Sequence, residues 1–458
     1  MNTNQSISVI DIGTTKIVAM IGRKEEDHTF SILGIGNVKS KGVLRGTVFN
    51  IKDTVEGIKE AVKIAEQMSG IKMNDVYVGI AGQNIKCLVN SDYINRTNSE
   101  QDITAEELER FIKNQENVPL DPGQQILHVI PKSYTIDGEE IEKPVGCIGK
   151  RLEAKFHIVV GQTQNINSIK RCIANAGLRL VKIILEPMAS SRAVLDPMEI
   201  EAGVAMIDIG GGTSDLAIYH KNMLIHTAVI PFGGNVITSD IEKAYNIIKN
   251  KAEKLKINFG YAILENDKLD DIVVVDGDIQ GRKPKEIEIK SLAKIIQARV
   301  EEIIGFIYNE IKLSEAENML GAGIVITGGG ALLKNLPQLM SYCTGLESRI
   351  GYPMIYIRKT DLMDVKNPAY ATAIGLLIQG WEDIIKHKNP ETEVKNNSID
   401  ENIGEISQEK NKKQQEEKKE KVNEKIKENK PKTKKQNKII VGIKDTFSGF
   451  FDSKDTTI

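Results

Sequence analysis

The sequence predicts an α/β protein built from two like-folded lobes. Three observations carry that expectation. Short β-branched runs end in glycine, as in "SISVIDIG", "VYVGIAG", "GVAMIDIGG" and "GIVITGGG", the pattern of buried strands that lead into tight turns. Between them lie amphipathic stretches at helical spacing, such as "TVEGIKEAVKIAEQMSG" and "SLAKIIQARVEEIIGFIYNEIKL". The two halves also echo each other: "SVIDIGTTKIVAMIG" near the start and "AMIDIGGGTSDLAIYH" near the middle share strand, Asp, Gly-rich turn, Thr and second strand.

The first turn is "DIGTTK", Asp11 to Lys16. A charged aspartate at the end of an apolar strand needs a partner, and a divalent cation held through water is an efficient one. Gly13 lets the backbone approach a ligand closely, so that the amides of Thr14, Thr15 and Lys16 point at phosphate oxygens. "DIGGGTSD", Asp208 to Asp215, repeats the device: Gly210, Gly211 and Gly212 leave room for a phosphate, and the Thr213 hydroxyl adds a donor. Taken singly, each turn reads equally well as a plain β-hairpin. Two of them at the heads of echoing halves, with a third loop behind, make coincidence a poor account.

That third loop is "GIVITGGGALLKNLP", in which Gly328, Gly329 and Gly330 offer bare backbone to a flat base or ribose, with a helix N-terminus expected next for phosphate. It lacks the lysine of a P-loop and the spaced glycines and downstream acid of a dinucleotide-binding turn.

From residue 386 to 437 Lys, Glu, Asn and Gln dominate, and apolar residues are too sparse to bury a core, so a charged flexible linker is expected. Residues 438–452 reverse this. At about 100° per residue Ile439, Ile440, Ile443, Phe447, Phe450 and Phe451 share one arc of roughly 120°. A helix this short, with Gly442 and Gly449, orders only against a membrane surface, another protein or the folded body. A bilayer span needs about twenty mostly apolar residues, so a helix lying in the membrane interface is the expected form.

With 458 residues and a formal net charge of −2, the chain has no pervasive basic bias, which argues against a nucleic-acid partner. Cys87, Cys147, Cys172 and Cys343 are scattered, without zinc-site spacing, as expected in a reducing cytoplasm. No basic segment followed by an apolar run marks a secretory signal at the N-terminus.

In this order, "DIGTTK", "DIGGGTSD" and "GIVITGGG" resemble the two phosphate loops and the adenosine loop of the actin, Hsp70 and sugar-kinase ATPase superfamily. "EPMASSRAVL" (Glu186 to Leu195) and "NPAYATAIGLL" (Asn367 to Leu377) resemble its two connecting helices. Within the superfamily the chain resembles the FtsA family of bacterial cell-division proteins. The features that carry this are the insertion from about Asn84 to Gln162, the segment "PFGGNVITSDIEKAYNIIKNKAEKLKINFGYA", and the tethered amphipathic terminus.

The resemblance implies an actin-like ATPase fold. Residues 1–83 and 163–197 would form the first lobe, and 84–162 an inserted subdomain used in filament contacts. Residues 198–235 and 301–385 would form the second lobe, with 236–300 as its small subdomain. It implies ATP and Mg²⁺ in the cleft, with the metal held through water by Asp11 and Asp208, the ribose met by Glu253, and Lys256 nearby. It further implies assembly with copies of itself, contact with other division proteins, and docking of the FtsZ C-terminal peptide on the small subdomain, where Arg282 and Arg299 are candidates. The expected location is the cytoplasmic face of the cell membrane at the division site. The group that orients water for hydrolysis stays open between Asp215 and Glu186, and slow or absent turnover is expected. Rival readings are a pilus-assembly adaptor with an FtsA-like body, a small-molecule kinase and an Hsp70-like chaperone. The greasy terminus speaks against the kinase, and the low-complexity tail cannot be the chaperone's peptide-binding domain.

Overall fold

The computed structural model describes residues 6–26, 29–82, 84–264, 271–275, 284–353, 357 and 365–388. The linker beyond Lys388, the arc residues Ile439, Ile440, Ile443, Phe447, Phe450 and Phe451, and Arg282 lie outside the described residues.

The echo in the sequence is a duplicated sheet. In the first lobe the strand Ser6–Ile12 pairs antiparallel with Lys16–Lys24, which pairs antiparallel with Phe30–Lys39. On its other side it pairs parallel with Asp75–Ile80, which pairs parallel with Arg179–Leu185. The second lobe repeats the order: Val204–Ile209 pairs antiparallel with Ser214–His220 and that strand with Met223–Ile230, while Ile324–Thr327 and Ser348–Ile350 extend the other side in parallel. The leading strands are buried almost throughout, Val204–Ile209 at every residue, which explains why they are apolar apart from Ser6, Ser8, Asp11 and Asp208.

The helix Ile51–Ser69 is started by Asn50, whose side chain accepts the Asp53 N–H, and stopped by Gly70 in the left-handed conformation. Ala61 and Ala65 on its buried face let it lie directly on Gly34 and Gly36. A Cβ at Gly36 would stand 1.9 Å from the Ala61 carbonyl oxygen.

Two helices connect the lobes, Glu186–Val194 and Ala371–Lys388. They cross at Gly375, where a Cβ would meet the Ala189 carbonyl oxygen at 1.7 Å. Gly375→Val is therefore expected to destabilise the fold by about 3 kcal/mol, the upper end for overpacking. Urea unfolding reads this, and an unmoved midpoint would place the crossing elsewhere.

The insertion has its own sheet, in the order Ile85–Asn95, Arg151–Gln162, Gln124–Ile136, Glu139–Ile141, and its own core. Phe111, from the Thr104-capped helix Ala105–Asn114, meets Phe156 edge to face at 5.2 Å. In the small subdomain the helices Gly234–Tyr245 and Lys249–Phe259 pack near the long helix Ile289–Leu313 and a hairpin of Ile272–Val275 with Lys285–Glu288.

Candidate functional site

The two glycine turns are the same object built twice. The pairs Ile12 with Ile17 and Ile209 with Ser214 close four-residue loops, 13–16 and 210–213. One backbone bond latches each loop: Gly13 N–H to the Lys16 carbonyl at 3.0 Å, and Gly210 N–H to the Thr213 carbonyl at 2.9 Å. The loops face each other across the cleft. A Cβ at Gly211 would stand 1.8 Å from Thr15 Oγ1, and one at Gly212 would stand 2.6 Å from Thr14 Oγ1. Glycine is thus required here by the opposite lobe rather than by the local turn.

Beneath the loops lie Asp11, Asp208 and Asp215, each less than a tenth exposed, with Glu186 at the head of the first connecting helix. Burial pushes the Asp11 carboxyl up to about 6, with the Lys16 ammonium pulling it back and the Asp208 charge adding to the rise. Asp208 is raised by burial, opposed by the hydroxyls of Ser190 and Thr372, which donate to its Oδ2 at 2.6 and 3.1 Å. Asp215 lies directly across the strand pair from Asp208 and is raised by burial and then by that neighbour's charge. Its Oδ2 accepts from Thr213 Oγ1 at 3.2 Å, whereas its buried Oδ1 has no partner among the described residues. Glu186 is raised by burial and by the charges of Asp11, Asp215 and Asp208. The Lys16 ammonium acts on Asp11 and Asp208, whereas Glu186 and Asp215 are raised by burial and by neighbouring carboxylates, so the cluster is under-neutralised, and the orphaned Asp215 oxygen points the same way. Among the described residues no three His, Cys, Asp or Glu side chains are arranged to hold a metal ion directly, so this donor set fits a divalent cation only through the cation's own waters.

Lys16 donates from Nζ to the Ala369 carbonyl and lies 4.5 Å from the Tyr370 ring centroid, at the entry to the second connecting helix. Gly328, at φ 83°, packs against the same strand end, since a Cβ there would meet Asp208 Oδ1 at 2.2 Å. Gly330 lies over Ile209 and Gly329 is uncrowded. The helix expected straight after these glycines is displaced. A short 3₁₀ turn, Gly329–Leu332, comes first, and the α-helix begins at Leu336, where Asn335 turns left-handed and Pro337 fits the first turn. The third loop therefore offers bare backbone to a ligand without an α-helix N-terminus directly behind it.

Glu253 and Lys256 stand one peptide behind the second loop. Lys256 Nζ donates to Glu253 Oε2 at 2.8 Å, to Thr238 Oγ1 at 2.8 Å and to the Gly234 carbonyl at 2.9 Å, while Gly234 N–H donates to the Gly210 carbonyl. Burial holds the Lys256 ammonium below its ordinary range, with Glu253 opposing. Arg299 lies in the small subdomain, paired with Asp240 at 2.5 Å and with Glu302. Sequence reasoning missed Ser190 and Thr372. The signal for them was a small hydroxyl inside each apolar connecting helix.

Family models match two stretches: "Cell division protein FtsA" over residues 205–375 and "SHS2 domain inserted in FTSA" over residues 82–160. The chain is 36% identical over 373 residues to the cell division protein FtsA of Neisseria meningitidis serogroup B, covering 81% of this chain and 89% of that one. It is 34% identical over 393 residues to that of Escherichia coli K12, covering 84% and 92%. Among solved structures it is similar to the PilM-PilN type IV pilus biogenesis complex, with a TM-score of 0.59 at 13% identity over 82% of this chain and 98% of that one. MreB 5 of Spiroplasma citri bound to AMPPNP follows with a TM-score of 0.50 at 15% identity, over 84% and 99%. At those identities the structural likeness is one of fold, and it is the actin-like fold that the sequence predicts.

Proposed function

The chain belongs to the FtsA family of cell-division proteins, and from that premise we propose that it binds Mg-ATP between its lobes, assembles with copies of itself on the cytoplasmic face of the cell membrane, and docks the C-terminal peptide of FtsZ there. The observation that carries the nucleotide part is the pair of like-latched glycine loops facing each other above four carboxylates and one lysine. The amides of Thr14, Thr15 and Lys16 on one side, and of Gly211, Gly212 and Thr213 on the other, would grip the phosphates. Asp11 and Asp208 would hold magnesium through water, and the metal would supply the positive charge that the carboxylates and phosphates share. Gly328, Gly329 and Gly330 would face the adenosine, and Glu253 the ribose.

The nucleotide acts here as a conformational ligand, with slow turnover at a site where Asp215 and Glu186 are the candidates for orienting water. Peptide docking is assigned to the small subdomain, where Ile248 and Ile257 are exposed apolar residues and Arg299 would exchange Asp240 and Glu302 for a peptide acid; Arg282 is the second basic candidate. Membrane attachment rests on the apolar arc from Ile439 to Phe451. No helix among the described residues is long and apolar enough to cross a membrane. A pilus-type adaptor is the runner-up, but that likeness is one of fold at 13% identity, against 34% and 36% to FtsA proteins.

Calorimetric titration with ATP, with and without magnesium, tests the site. Because the carboxylates and phosphates repel each other until a cation intervenes, chelating magnesium should weaken ATP by about 100-fold or more. Equal affinity in EDTA would remove the cation argument, and no binding under either condition would make the chain a nucleotide-free scaffold.

A further inference from the structure

The inserted subdomain touches both lobes, and a histidine stands at each contact. His128, on the strand Gln124–Ile136, accepts the backbone N–H of Leu185 at Nε2, 3.1 Å away. Leu185 ends the outer strand of the first lobe and immediately precedes Glu186. His157, on Arg151–Gln162, is 1% exposed, and its Nε2 lies 3.0 Å from Thr227 Oγ1 on the edge strand of the second lobe. Cys87 Sγ, on the neighbouring insert strand, reaches the same hydroxyl at 2.7 Å. The insert therefore meets Thr227 from two strands at once.

These contacts are mechanically close. In the insert sheet His128 pairs with Val159 and Ile130 with His157, so the two histidines sit on one face as diagonal neighbours on adjacent strands, their Cα atoms roughly 7–8 Å apart. A single step of hydrogen-bonded sheet separates the contact to one lobe from the contact to the other. An imidazole nitrogen that accepts an N–H carries no proton, so His128 is committed to the neutral Nδ1–H form. The His157 site also disfavours a proton: His226 faces it with ring centroids 6.4 Å apart, Lys132 adds positive charge, and Nδ1 has no acceptor among the described residues. The carboxylate nearby, Glu310, is turned to His226 at 3.4 Å, and the Cys87 thiol is held protonated by burial. Lys182 stands beside His128. Burial and these cations hold both rings down to about 4.

We propose that the insert is a strap between the lobes, anchored through His128 to Leu185 and through His157 and Cys87 to Thr227. His128 thereby acts as a positioning residue for Glu186, and a displacement at either anchor is felt at the other. These contacts involve no nucleotide, so the strap is tested on the full chain without one. Amide hydrogen exchange is followed at Leu185 and along Met223–Ile230 in His128→Leu, which removes the acceptor, and in His128→Gln, whose carbonyl can replace it. Leucine is expected to speed exchange at both places, on the order of 10-fold for the loss of one hydrogen bond, and glutamine to restore both. Thr227→Val reads the strap from the other end and should speed exchange at Leu185, because coupling is reciprocal. Acceleration confined to the mutated contact in both variants, or glutamine behaving like leucine, would overturn the strap. Should His128→Leu fail to fold, Thr227→Val alone decides.

Discussion

Gly211→Val is expected to abolish nucleotide binding in a protein that still folds, with Mg-ATP affinity down by more than about 100-fold in calorimetric titration. Gly211 needs no unusual backbone angle, so the substitution carries little local strain. Its effect lies across the cleft, where the new Cβ would meet Thr15 Oγ1 at 1.8 Å and the branched methyls would fill the space between the loops. The loops must then part, and their amides no longer converge on one phosphate group; loss of several charge-assisted hydrogen bonds at once accounts for the magnitude. Gly70→Ala is the control. Gly70 is left-handed with nothing within 4 Å of its Cβ position, so alanine there should cost about 1 kcal/mol of stability and leave affinity alone. If Gly211→Val binds within about threefold of the parent, the facing loops are not the phosphate grip, whatever the fold resembles.

The legibility of this site in the sequence was uneven, for physical reasons. The Asp-Gly turns stood out because each pairs an acid with a backbone constraint in a few consecutive residues, and the structure brings those two turns face to face. The duplicated sheet was legible as well, since both copies keep strand, turn and strand contiguous. Ser190 and Thr372 were not, because their role exists only once two helices far apart in sequence cross over Asp208. In the chain they are two small polar residues among alanines. The start of the helix after Gly328 was misplaced because Asn335 and Pro337 set it, and a run of glycines outweighed them in a reading from pattern alone. Glu253 and Lys256 were named from the family resemblance alone; their ion pair, and the Lys256 bond to Gly234 that links it to the second loop, depend on the fold.

Phe447→Asp combined with Phe450→Asp is expected to release the full chain from anionic liposomes while leaving Mg-ATP affinity unchanged. The two phenylalanines supply much of the apolar arc that also contains Ile439, Ile440, Ile443 and Phe451. Burying one such ring contributes about 1.5–3 kcal/mol, so losing both, with carboxylates in their place near anionic headgroups, weakens a single segment by at least about 100-fold. Because one interfacial segment binds reversibly, firm attachment requires an assembly that presents many at once. Parent pelleting should then rise steeply with protein concentration and rise further with Mg-ATP, whereas the double variant stays in solution at every concentration. A chain truncated after Gln436 should behave as the variant does. Three other outcomes separate the alternatives. Loss of nucleotide binding along with pelleting would assign the terminal segment to the folded body. A variant that still pellets would move the membrane contact elsewhere. A parent that never pellets, with or without ATP, would make the segment a site for another protein, and the reach of the charged linker would then serve that partner.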